Sequence, residues 1–157
     1  MATFPDPELS ASLRVSIETN GSAISKALSE EFKMLGFYPT SEEHIADVVD
    51  DVSYIESSIQ DIFIIEAKDG VATAEISFEV SFEAEVTFED SSTGMWDSEV
   101  KVMVGMEVCR KTVSRTWRGL VEFELIYDSQ DFDDLTVESL SIPEAEIEVN
   151  IDESYCR

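Results

Sequence analysis

Positive charge is what this sequence has least of: 10 lysines and arginines stand against 35 aspartates and glutamates in 157 residues, a net charge of −25. Such an excess repels nucleic acid phosphates and anionic lipid, so the expected partner is a protein with a basic or neutral surface, not nucleic acid or membrane. Histidine is reduced to His44 alone. Without a second histidine or a suitably placed cysteine it supports neither a zinc site nor histidine-based catalysis, and beside Glu42 and Glu43 it reads as a surface residue. The two cysteines, Cys109 and Cys156, are too few and too irregular for a disulfide framework or a metal site, and read as reduced thiols. No apolar run approaches the roughly 18 residues of a membrane span, and the opening MATFPDPELSASL has no basic n-region or apolar h-region, so the expected location is cytoplasmic. Glycine-rich phosphate loops, a GxSxG elbow and internal repeats are all missing. The chain is therefore expected to be no enzyme and to carry no cofactor, no metal and no catalytic residue.

What is present is alternation. In ATAEISFEVSFEAEVTFE, residues 72–89, every even position is apolar and every odd position polar. A period of two is that of a β-strand with one buried and one wet face, in an antiparallel sheet covered on one side. At about 3.3 Å per residue this strand would span roughly 60 Å, whereas a compact domain of this length is about 40 Å across. It is therefore expected to coil, bulge or divide, most plausibly near Ala84.

Around that strand the chain reads as a flexible tail over 1–8 and a single α+β domain over 9–157, helical over about 22–57 and sheet-forming over about 59–151. Leu13, Val15 and Ile17 alternate like a short strand, although Asp6 and Pro7 would also open a helix. Ser22 caps a helix carrying Ile24, Ala27, Leu28, Phe32 and Leu35 on one side, and Gly36 ends it. Thr40 and Glu43 have capping-box form, with Ile45, Val48, Val49, Val52 and Ile55 following at helical spacing, which predicts a second helix over about 41–57. Strands are expected over 59–67, 72–89, 100–104, 108–127, 135–142 and 145–151, with a hairpin at Lys68-Asp69-Gly70, a loop over 90–98 and an acidic loop over 128–134. The fold class is α+β: two helices packed on a strongly twisted antiparallel sheet of five to seven strands.

Two stretches are candidate partner-binding residues. One is the glutamate row Glu75, Glu79, Glu83, Glu85 and Glu89 on the polar face of the long strand. Alternate strand positions lie about 6.7 Å apart, four times sparser than the roughly 1.7 Å per charge of duplex DNA, so one row alone does not imitate DNA. The other is Met95 with Trp96, large apolar residues in a loop. The basic knot Arg110, Lys111, Arg115 and Arg118 splits across two strand faces and reads as cross-strand partners for glutamates. Asp128, Asp131, Asp133 and Asp134 lack the spacing and glycine of a calcium-binding loop and read as a solvated turn.

The region from about Ile59 to Val149 resembles the β-rich segment that follows the nuclease domain in some bacterial PIN-type ribonuclease proteins. It does so through ATAEISFEVSFEAEVTFED, the run Trp96-Asp97-Ser98-Glu99, and Thr112-Val113-Ser114-Arg115-Thr116 leading into a valine and glutamate strand. That resemblance implies an appendage with a binding or positioning role and lends no catalytic residue. The leading functional expectation is thus a non-catalytic acidic interaction module of bacterial or phage type. The alternative is a nucleic-acid-mimicking inhibitor, since a charge of −25 matches that of roughly 12 to 13 base pairs of duplex.

Overall fold

The computed structural model describes residues 6–144, 146–152 and Ser154, and at Val102 and Met103 the backbone alone. In chain order the elements are α1 (Pro7–Thr19), α2 (Gly21–Phe32), β1 (Gly36–Thr40), β2 (Ile45–Lys68), β3 (Val71–Asp90), β4 (Met95–Asp97), β5 (Val102–Val104), β6 (Glu107–Asp128), β7 (Asp131–Ser141) and β8 (Glu146–Asn150). Strands β2, β3, β6 and β7 join in that order, β1 pairs in parallel with β8, and β4 pairs with β5 as an antiparallel ribbon. Two helices with a mostly antiparallel sheet make an α+β protein, as the alternation predicts. The main sheet has four strands instead of five to seven, because the expected closing strand β8 leaves it to pair with β1.

Contacts group the chain into two compact units, one of residues 1–34, 56–80 and 116–144, the other of 35–55, 81–115 and 145–157. Strand β3 runs unbroken from Val71 to Asp90, with no division at Ala84, and passes from the first unit to the second between Val80 and Ser81. Its alternation is realised in full: each even residue from Ala72 to Phe88 is at most 2% exposed.

In the first unit, α1 buries Leu13, Ser16 and Ile17 and α2 buries Ile24, Leu28 and Phe32, spacings that place each set on one helix face. Both helices pack against β7. The Ser16 hydroxyl donates to the Phe132 carbonyl, and Asn20 Nδ2 donates to the Asp133 carbonyl at 3.1 Å. The Phe32 ring meets Trp117 at 5.7 Å, and Phe78 meets Phe123 at 5.9 Å. Asp69 (φ 53°) and Gly70 (φ 82°) form the left-handed pair of a two-residue hairpin turn joining β2 to β3.

The second unit is closed by β1 and β8, whose register runs from Gly36 opposite Glu146 to Thr40 opposite Asn150. Ile147, Val149 and Ile151 are buried, and the Phe37 ring reaches Phe82 at 5.8 Å. Asp152 clamps the chain that follows β1: one carboxylate oxygen accepts from the Ser41 hydroxyl at 2.6 Å and from the Glu42 and Glu43 amides at 2.9 and 3.2 Å. Arg115 Nε and Nη2 donate to the Asn150 carbonyl at 2.9 and 2.6 Å.

Several expectations are corrected. Residues 9–17 are helix, because the Asp6 side chain caps the Glu8 amide at 2.7 Å and Pro7 stands at the first helical position, signals stronger than three alternating residues. Of the tail expected over 1–8, residues 1–5 lie outside the described residues, while Pro7 and Glu8 belong to α1. Residues 45–57 are strand, not helix. The helically spaced set there is all β-branched, which favours extended chain, and the apparent capping box is used elsewhere: Thr40 donates to Glu148 Oε1 at 2.7 Å while Asp152 takes the amides of Glu42 and Glu43. Along β2, Val52 and Ile62 each donate their amide to the aspartate before them, Asp51 and Asp61, at 2.9 Å. The acidic loop is a tight turn between β6 and β7 with Asp128 opposite Asp131, and those two carboxylates accept from the Gln130 and Asp133 amides. Cys109 is disulfide-bonded instead of a thiol, and Cys156, the other cysteine in the sequence, lies outside the described residues.

Two outcomes follow from this packing. A Cβ on Gly119 would lie 2.3 Å from Trp117 Cζ2, so Gly119→Ala should lower unfolding stability by about 1–3 kcal/mol in urea titration, whereas Gly21→Ala, with open space around it, should leave it unchanged or raised. The Ser41 hydroxyl bond, seconded by the Glu43 and Glu42 amides, holds the Asp152 carboxyl at about 2 against an ordinary 3.8. A folded-state value below the unfolded one gives stability that is present above 3.8 and lost as pH falls toward 2. The stability gap between wild type and Asp152→Asn should therefore be widest above pH 5 and close on acidification through that window.

Candidate functional site

The glutamate row occupies the polar face of β3, where Glu75, Glu79, Glu85 and Glu89 are half-buried and Glu83 is exposed. In the first unit, Arg118 Nε lies 2.9 Å from Glu79 Oε2. That pair borders a shallow groove of about 370 Å³ whose other walls include Gln60, Ser77, Gly119 and Leu120. In the second unit, Arg110 Nε reaches Glu85 Oε1 at 3.2 Å and Asp50 Oδ2 at 3.6 Å, while Thr87 donates to the same Asp50 oxygen at 2.5 Å. Arg110 and Arg118 are thus cross-strand partners of glutamates, as expected of the basic knot, whereas Arg115 donates to the Asn150 and Ser114 carbonyls. Exposed pairs of this kind add at most about 1 kcal/mol each; their larger effect is to compensate two of the five row carboxylates.

Met95 and Trp96 lie in the second unit and form most of β4, with Met95 opposite Val104, Trp96 opposite Met103 and Asp97 opposite Val102. Local chemistry makes the ribbon: Asp97 Oδ1 accepts from the Glu99 amide at 2.9 Å to start the turn, and Lys101 (φ 56°) and Gly105 (φ 73°) supply left-handed positions on the return. Trp96 is 61% exposed and Met95 75%, with Val100, Val104 and Val108 also in solvent.

The base of the ribbon is fixed by a polar corner that sequence reasoning missed. Asp90, 1% exposed, caps the short 3-10 turn Ser91–Thr93 by accepting from the Ser92 amide at 2.9 Å and the Ser92 hydroxyl at 2.6 Å. Thr93 donates its hydroxyl to the Asp90 carbonyl at 2.7 Å and accepts from the Glu107 amide at 2.8 Å, so the outgoing and returning legs meet at one side chain. His44 is buried here, contrary to the surface position expected, with its ring 5.1 Å from Phe88. Its Nδ1 accepts from the Ser91 amide at 3.2 Å, and Glu43 Oε2 lies 3.8 Å from its Nε2. Ser91 Oγ at 3.4 Å and Asp90 Oδ1 at 3.6 Å approach the same Nδ1. A serine–histidine–aspartate relay needs them on opposite nitrogens, so this grouping serves to brace the corner. The legible signal was Asp-Ser-Ser-Thr directly after a strand, a run of side chains that cap turns.

Among the described residues, no three histidine, cysteine, aspartate or glutamate side chains converge as a metal site requires. Comparisons with protein-family models, curated proteins and solved structures give no match.

If Asp90 holds the ribbon's base, Asp90→Ala should cost about 1–3 kcal/mol by stranding the Ser92 donors. It should also speed hydrogen exchange at the Ser92 and Glu107 amides while leaving the amides of β7 unchanged.

Proposed function

We propose that the chain is a non-catalytic interaction module that holds a protein partner through the β4–β5 ribbon. The observation that carries this reading is the exposure of Trp96 and Met95, 61% and 75%, on a braced element that buries neither. Contiguous exposed apolar residues mark contact surfaces, and tryptophan and methionine are enriched at interface cores. The net charge of −25 favours a partner with a basic surface. The resemblance of residues 59–149 to the segment following PIN-type nuclease domains fits a positioning role of the same kind.

The mimic reading ranks second, because Arg118 and Arg110 already compensate Glu79 and Glu85, which thins a row that was sparse at the outset.

Replacing both ribbon anchors (Met95→Ala with Trp96→Ala) should reduce affinity capture of a partner from the source cells by about tenfold or more, with no shift in the thermal midpoint. Capture that survives the double change would transfer the contact to the glutamates of β3.

A further inference from the structure

Each face of the ribbon carries exposed apolar side chains. Directly opposed residues of an antiparallel pair share a face, so Met95 and Val104 lie together on one side, and Trp96, the next residue along β4, projects to the other. All three are solvent-exposed, Val104 at 43%. A contact laid flat on a partner would use one face only. A two-stranded ribbon is marginal in water by itself, and this one leaves apolar groups wet on either side.

The charges around it are carboxylates: Asp97, Glu99 and Glu107 against the single ammonium of Lys101. A second copy of the chain would meet that rim with the same carboxylates and a further −25 of net charge. Nucleic acid would meet it with phosphates.

Resting on the ribbon reading above, we propose that the ribbon inserts into a cleft: its partner is a protein with an apolar slot that closes on both faces and with lysines or arginines at its floor. Met95 and Val104 contact one wall, Trp96 contacts the other, and Glu99 on the connecting turn reaches the cationic floor.

The test places the photo-crosslinking residue p-benzoylphenylalanine at position 95, at position 96, or as a control at position 15, where exposed Val15 lies on α1 in the other unit. The full chain is expressed in its source cells, irradiated, and its adducts identified by mass spectrometry. Insertion requires the same partner at 95 and 96 and its absence at 15. Charge reversal by Glu99→Lys, made in the full chain carrying either probe, should lower both yields by about fivefold or more with an unchanged circular dichroism spectrum. Adducts at only one of the two positions, or different partners at each, would overturn insertion while leaving the ribbon as a contact surface. An adduct with a second copy of this chain, or yields indifferent to Glu99→Lys, would overturn the cationic slot. No adduct at either position would remove insertion and the ribbon reading together.

Discussion

The burial of one face of β3 is the constraint on which the rest of the molecule depends. From Ala72 to Phe88 every second side chain is removed from water, and each large one contributes about 1.5–3 kcal/mol only while something covers it. The two units meet that requirement differently. In the first, Phe32 of α2 packs on Trp117, and the helices lie on β7. In the second, a parallel pair of short strands does so, with Phe37 on Phe82 and the buried Ile147, Val149 and Ile151 of the closing segment. One continuous pattern in sequence therefore recruits two kinds of cover.

How much of this the sequence disclosed depends on whether a signal was local. Strand β3, strand β6 with its buried Val113, Trp117, Val121, Phe123, Leu125 and Tyr127, and the Asp69-Gly70 turn were all legible, since alternation and left-handed turn chemistry act over a few residues. The failures lie where distant residues decide. Thr40 and Glu43 have the form of a helix cap, but Glu148 and Asp152, more than a hundred positions away, claim the groups that a cap would use. The parallel pairing of β1 with β8 is likewise a long-range event with no local mark. Of the candidate contact residues, exposure of Met95 and Trp96 could be read from the break in alternation after Asp90. Of the corner that braces them, the Asp90 turn had a local mark in Asp-Ser-Ser-Thr, but His44 had none, because it is 46 positions from Asp90 and sits among acids that suggest solvent.

Charge shapes the outer face as firmly as apolar area shapes the inner one. A central strand carrying Glu75, Glu79, Glu83, Glu85 and Glu89 on one side gathers like charge along that face, with Glu83 and Glu85 at adjacent positions of the row, and charge so collected on a sheet is destabilising unless it is compensated. Arg118 and Arg110 relieve this at two points, one in each unit. With so few cations in the chain, placing two of them opposite this row leaves little positive charge for other surfaces. The acidic character of the protein toward any partner is thereby preserved.

Strand β2 ends the four-stranded sheet, and among the described residues no strand lies on its far side. Such a margin, long and rich in isoleucine and valine, is the usual starting point for edge-to-edge aggregation. Here Asp51 and Asp61 turn back onto the amides of Val52 and Ile62. An incoming strand would find those donors already engaged and a carboxylate standing in the path of its own carbonyl oxygens. The two aspartates thus act as stoppers, opposing edge-to-edge pairing at two points along an otherwise open margin.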